Sequence, residues 1–210
     1  MQSFFGIDEK WLGLVGVFFG AFLVSIKDLI SAVGRQRGNA KYMAIRCVAL
    51  LDRYVDGCAE VAGDDGTYMG QPANLDGTCS AQVDAPAFPV DSMDGDWKSI
   101  TQNLMYEMLS FSNRIESARG MVKGMSDHAS PPFYEEMFEE RQYQFARLGL
   151  RANQLAGRLR RRYRIPSREM EQWDPVAFLQ RQLDEINWLR NNRKKQHDSL
   201  LQRQAAHPDH

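Results

Sequence analysis

The residues best placed to do chemistry are carboxylates. Asp52, Asp56 and Glu60 recur at every fourth position, so on a helix they would share one face, and Glu135, Glu136, Glu139 and Glu140 crowd a second stretch. Carboxylates facing each other across a helical bundle can hold Mg²⁺ and activate water for hydrolysis. A centre of that kind needs paired E-x-x-E and E-x-x-D elements. Glu136 and Glu139 have the first spacing, and no second element follows downstream. Plain helix physics also explains both groups: acids in a first turn favour the helix dipole, and an i, i+4 row of acids is a solvated face. Asp52, Asp56, Glu136 and Glu139 stand as the candidates for a metal site, with no catalytic residue and no cofactor assigned.

The remaining reactive side chains fall into no catalytic pattern. His128, His197, His207 and His210 form neither HExxH nor E-x-x-H. Cys47, Cys58 and Cys79 lack the CxxC spacing of structural zinc, and Cys58 falls on an apolar helical seam with Cys47 beside it, where a small buried hydrophobe is the default. The chain carries no P-loop, G-x-G-x-x-G or G-x-S-x-G. An enzyme is therefore not the favoured expectation, and association is.

Charge is more informative. The chain has 26 Lys and Arg against 27 Asp and Glu, a net charge of -1, but the signs are segregated. The segment from Gly63 to Asp96 holds seven aspartates among glycines and prolines and no Lys or Arg, whereas cations dominate from Arg141 to Lys195. The aspartates lack the order and the closing glutamate of a calcium loop. An acidic loop docking on basic helices, within the chain or between subunits, follows from this asymmetry. The densest basic run is RLRRRYR, with Arg158, Arg160, Arg161, Arg162 and Arg164. Cations at a helix C-terminus suit its dipole, and they also suit anionic lipid headgroups or another anionic partner. Nucleic acid is the less favoured partner, because Tyr163 is the only aromatic interleaved with them.

The elements that position these residues read as all-α. Trp11 to Ile26 carries no charge in a chain whose mean hydropathy is -0.47. Crossing about 30 Å of hydrocarbon takes roughly 20 apolar residues, which Leu29, Ile30, Ala32 and Val33 can supply if Lys27 snorkels. Asp8 and Glu9 precede the run and no A-x-A follows it, so a retained single-pass anchor is expected rather than a cleaved signal. Lys27, Arg35, Arg37, Lys41 and Arg46 on the far side outnumber Lys10, which puts the N-terminus outside the inner (plasma) membrane and the body in the cytoplasm. Gly13, Gly16 and Gly20 have the small-residue spacing through which membrane helices self-associate.

Gly34 and Gly38 divide this anchor, residues 1–34, from a cytoplasmic helical domain at 35–203, and residues 204–210 read as a disordered tail. A helix from Asn39 with the seam Ala44, Val48, Leu51, Val55, Cys58 and Ala62 leads into the long loop, residues 63–96. Asp96 should cap a second helix bearing Trp97, Ile100, Leu104, Met108, Phe111 and Ile115, ending near Gly120–Gly124. Ser130 and Pro131 should start a third, with Tyr134, Phe138, Phe145, Leu148, Ala152, Leu155 and Leu159 inward. Asp174 and Pro175 should start a fourth, led by Leu179, Leu183 and Ile186. No alternating strands are expected.

The expected architecture is an antiparallel helical bundle or set of helical hairpins behind a single transmembrane helix. The expected role is a membrane-anchored interaction or scaffold protein that forms a homo-oligomer or belongs to a membrane complex. A membrane-tethered Mg²⁺ hydrolase, and a binder of anionic lipid or nucleic acid through the basic helix end, are the alternatives.

Overall fold

The computed structural model describes residues 9–169 and 172–206; side chains are described at Lys27, from Ile30 onward in the first helix and up to Gln202 in the last. It contains four long helices: α1 (Glu9–Ala62), α2 (Gln102–Ser126), α3 (Glu135–Tyr163) and α4 (Pro175–Ala206). A two-residue hairpin, β1 (Thr67–Tyr68) and β2 (Gln71–Pro72), and a 3₁₀ turn at Trp97–Ser99 lie between α1 and α2. The chain is all-α apart from that hairpin, whose turn has Met69 and Gly70 both at positive φ. Alternation cannot signal a strand two residues long, so the hairpin was not legible as one.

α3 is the central helix. Asp52 meets Arg160, Cys58 meets Gly149 and Asp64 meets Arg141, so α1 and α3 run antiparallel. Glu107 with Arg158 and Met121 with Gln144 show the same for α2, and Leu179 with Gly149 and Arg190 with Glu139 for α4. Hence α1, α2 and α4 all run one way around α3. Two parallel neighbours cannot be joined by a short turn, because the chain must return the full length of the bundle. Residues 63–101 make that return. Pro86 lies against Gly57, Phe88 against Tyr54, and Gly95 against the Met43 sulfur, so the segment is a strap descending along α1.

The expected seams form the core. Ala44, Val48, Leu51, Val55, Cys58 and Ala62 of α1 are buried, as are Leu104, Met108, Phe111 and Ile115 of α2. Phe138, Phe145, Leu148, Ala152, Leu155 and Leu159 of α3 join them, with Leu179 and Ile186 of α4. The strap adds its own anchors: Val90 is fully buried, and the Phe88 ring packs with Tyr54 and Phe111 at centroid separations of 5.3 and 5.0 Å. Gly149 is required where α1, α3 and α4 cross, since a Cβ there would lie 2.6 Å from Leu179 and 2.9 Å from Cys58.

Four expected boundaries move. Gly34 and Gly38 do not interrupt the first helix, which is continuous over 54 residues. Each glycine costs a helix about 1 kcal/mol relative to alanine, which does not end it without a left-handed turn to redirect the chain. Asp96 caps only the 3₁₀ turn, its carboxylate accepting from the Lys98 N–H, and α2 begins at Gln102 after the extended Ile100. α2 also runs through Gly120 and Gly124 to Ser126. Ser130 and Pro131 do not start α3. They belong to a turn in which the Ser130 carbonyl accepts from the Tyr134 N–H, and the helix starts at Glu135. Asp174 does cap α4, accepting from the N–H groups of Val176 and Ala177.

Among the described residues no helix is long and apolar enough to cross a membrane. The run Trp11–Ile26, with Gly13, Gly16 and Gly20, lies in the part of α1 whose side chains are outside the described residues. So do His207 and His210, which follow the end of α4.

Candidate functional site

The candidate carboxylates are not brought together. Asp52 is ion-paired to Arg160 at 2.5 Å, and Asp56 to Arg168 at 2.8 Å. Glu139 pairs with Arg190 at 2.8 Å and also with Arg193. Glu136 is exposed. Because Arg160 is the partner of Asp52, the 21 residues of α3 between Glu139 and Arg160 put the two carboxylate groups about 30 Å apart. No group of three or more metal-ligating side chains is gathered among the described residues. What Asp52, Asp56 and Glu139 do chemically is hold arginines.

The cysteines occupy the core. Cys47, Cys58 and Cys79 are all free thiols and all buried. Burial pushes the Cys47 thiol up to about 12 despite Arg46 nearby, and pushes Cys58 up as well, so both are protonated and unreactive at neutral pH. The nearby Tyr54 hydroxyl finds no hydrogen-bond partner among the described residues.

The end of the bundle where α1 stops and α3 starts (the distal end) is a network of satisfied charges. Asp64, the second residue beyond α1, is buried and accepts from the N–H groups of Gly66, Gln82 and Val83 at 2.8–3.0 Å, and from Arg141 at 2.7 Å. Burial works to raise its pKa, but these four donors outweigh it and hold the carboxyl below the usual range. Arg141, equally buried, also donates to the Val83 carbonyl. This pair ties both ends of the acidic hairpin region to α3. Its members are 77 residues apart in the chain, and no local pattern marks them. Gly66 beside it is at φ +79 with the Phe138 ring where a Cβ would be, so only glycine fits. Nearby, the Arg190 guanidinium spans Glu139 and Glu140 and lies 4.2 Å over the Tyr143 ring. A cleft of about 420 Å³ opens here between Asp65, Glu135, Glu139, Gln142, Glu185 and Ile186.

The acidic strap does not dock through charge in general. Asp64 is its one ion-paired residue among the described ones. Asp65 and Asp76 instead accept from the backbone and hydroxyl of Thr67 and Thr78 in two equivalent D-G-T turns.

The opposite, proximal end carries the basic run, and the fold divides it. Arg158 pairs with Glu107 and Arg160 with Asp52. Arg161, Arg162 and Arg164 are exposed and form no ion pair among the described residues. Tyr163 lies between the last two, its hydroxyl accepting from the Thr101 N–H at 2.9 Å, and this bond fixes the end of α3 against the start of α2. Arg164 then takes a left-handed conformation, φ 53, as the C-cap of α3. A cleft of about 660 Å³ results, lined by Arg37 and Lys41 of α1, Arg162 and Arg164 of α3, and Ser99 and Thr101. Its lining contains no Asp or Glu. The carboxylate of Asp96, three residues before Ser99, is engaged with the Lys98 N–H.

A third depression, about 580 Å³, runs over α3 between α2 and α4 and is lined by Arg114, Arg147, Arg151, Met121, Leu148 and Leu183 among others. Comparison with family models, with curated proteins and with solved structures finds no match.

Proposed function

We propose that the chain is a membrane-anchored helical interaction protein, with α1 as the anchor and the α1–α4 bundle as the part that meets its partners. The observation carrying this reading is the continuity of α1. The helix runs from Glu9 through the uncharged stretch into the core without a break, so what happens at its N-terminal end is mechanically coupled to the bundle. The flanking cations favour an N-terminus outside the inner membrane and a cytoplasmic bundle. The anchor can also self-associate through Gly13, Gly16 and Gly20, making the protein a homo-oligomer or a subunit of a larger complex. Hydrolysis draws less support, because Asp52, Asp56 and Glu139 already neutralise arginines.

The test is extraction of native membranes. Alkaline carbonate should leave the full chain in the membrane pellet. A mild detergent should release it as a multiple of its 24.0 kDa mass or in fixed ratio with a second protein. Release by carbonate would overturn the anchor, and a detergent-solubilised monomer without a partner would overturn the interaction reading.

A further inference from the structure

We propose that the proximal collar, Arg37, Lys41, Arg162 and Arg164 with Thr101, binds the phosphates of anionic phospholipid headgroups, so that the bundle stands on the membrane rather than hanging from a tether. The proposal rests on the anchor reading above and adds to it a site, a ligand class and an orientation.

Position argues first. Twenty residues counted from Trp11 end at Ile30. Arg37 is then about 10 Å further along the helix, at 1.5 Å per residue. The headgroup layer on each side of the hydrocarbon is roughly 5–8 Å thick. Arg35 therefore emerges at the outer limit of the headgroups, Arg37 just beyond it where its side chain can snorkel back, and Lys41 about 6 Å further out. Arg162 and Arg164 line the same cleft as Val33, Gln36 and Arg37, so α3 brings its cations to that level as well. They arrive from 125 or more residues further along the chain, and folding alone places them there.

Charge argues second. Elsewhere in the bundle arginines that face carboxylates pair with them: Arg141, Arg158, Arg160, Arg168, Arg190 and Arg193 are all in ion pairs. The collar concentrates four cations about a cleft without one acid in its lining. Guanidinium forks match phosphate oxygens two at a time, and the Thr101 hydroxyl adds a neutral donor, that of Ser99 being donated to the Asp96 carbonyl. The ligand that satisfies such a site beside an anchor is a headgroup phosphate, supplied at high local concentration by the bilayer itself.

The experiment uses the full chain in vesicles of phosphatidylcholine alone and of phosphatidylcholine with about 30% phosphatidylglycerol. Backbone amide exchange is followed at residues 35–41 and 160–165, with 139–145 as the internal control. Phosphatidylglycerol should slow exchange in the two collar segments and leave the control unchanged. In the double variant Arg162→Gln, Arg164→Gln the phosphatidylglycerol effect should shrink by about fivefold for each cation removed. For the native chain it should also shrink between 0.1 and 0.5 M salt, a comparison that needs no variant to fold. Equal exchange in the two vesicle types would overturn the proposal. Protection by 10 mM inorganic phosphate in pure phosphatidylcholine, matching that of phosphatidylglycerol, would assign the collar to a soluble anion and overturn the lipid source. Carbonate extraction from both vesicle types reads the anchor separately: a chain that stays in the pellet but shows no lipid-dependent protection loses the collar and keeps the anchor.

Discussion

Both ends of the bundle are rich in arginine, and the two sets of arginines live differently. At the distal end Arg141 and Arg190 are buried or half-buried, each with carboxylate and further partners. At the proximal end Arg162 and Arg164 stand in solvent with no carboxylate partner among the described residues. Residue type does not separate a structural arginine from an available one. Removing water from an arginine demands a carboxylate and a full set of hydrogen bonds, so the buried ones are committed to the fold. The exposed ones are free to serve a partner.

A graded series of substitutions sharpens this contrast. Arg141→Leu should have the largest effect, about 3–5 kcal/mol in chemical denaturation, because it leaves Asp64 charged and buried without its counter-ion. The same pair gives a pH signature. Asp64 is held below the usual carboxylate range, so its contribution is fully present above the ordinary value and is lost as pH falls through the folded one. The native chain should lose stability on the acid side of about pH 4, and Asp64→Asn, though less stable at neutral pH, should lose less on acidification.

Arg190→Gln should cost about 1 kcal/mol, since the guanidinium is a third exposed and its loss frees two carboxylates to water. Arg158→Gln should cost about 0.5 kcal/mol or less, because that side chain is 42% exposed and its pair with Glu107 is largely screened. Arg162→Gln with Arg164→Gln should move the melting temperature within error, since neither side chain is in an ion pair. A proximal double variant as destabilised as Arg141→Leu would erase the distinction between the two ends.

The sequence revealed the parts of the fold that are periodic. Each seam has apolar residues at spacings of three and four, and these are the positions the structure buries, except Trp97, Tyr134 and Leu183, which are half-buried. Asp174 was legible because cap and proline are adjacent and the helix follows at once. Ser130 and Pro131 present the same order of cap residue and proline, yet the chain turns once more before α3. Gly34 and Gly38 misled because glycine weakens a helix without stopping it. The candidate site was half legible. The basic run was visible, but which of its arginines turn inward depends on where Glu107 and Asp52 lie in three dimensions. The Asp64–Arg141 pair was hidden altogether: Asp64 read as one of seven aspartates in the long loop, and its partner as one cation among many.

The unbroken path of α1 past Gly34 and Gly38 also sets an azimuth. A helix turns about 100° per residue, so the direction in which the bundle faces is locked in phase to the helix end that begins at Glu9. One alanine inserted at residues 34–38 would swing the bundle by about a third of a revolution and lift it by about 1.5 Å. Seven inserted residues would nearly restore the heading while lifting the bundle by about 10 Å. The protein thereby offers two separate dials, heading and height, and a partner that reads one of them need not read the other.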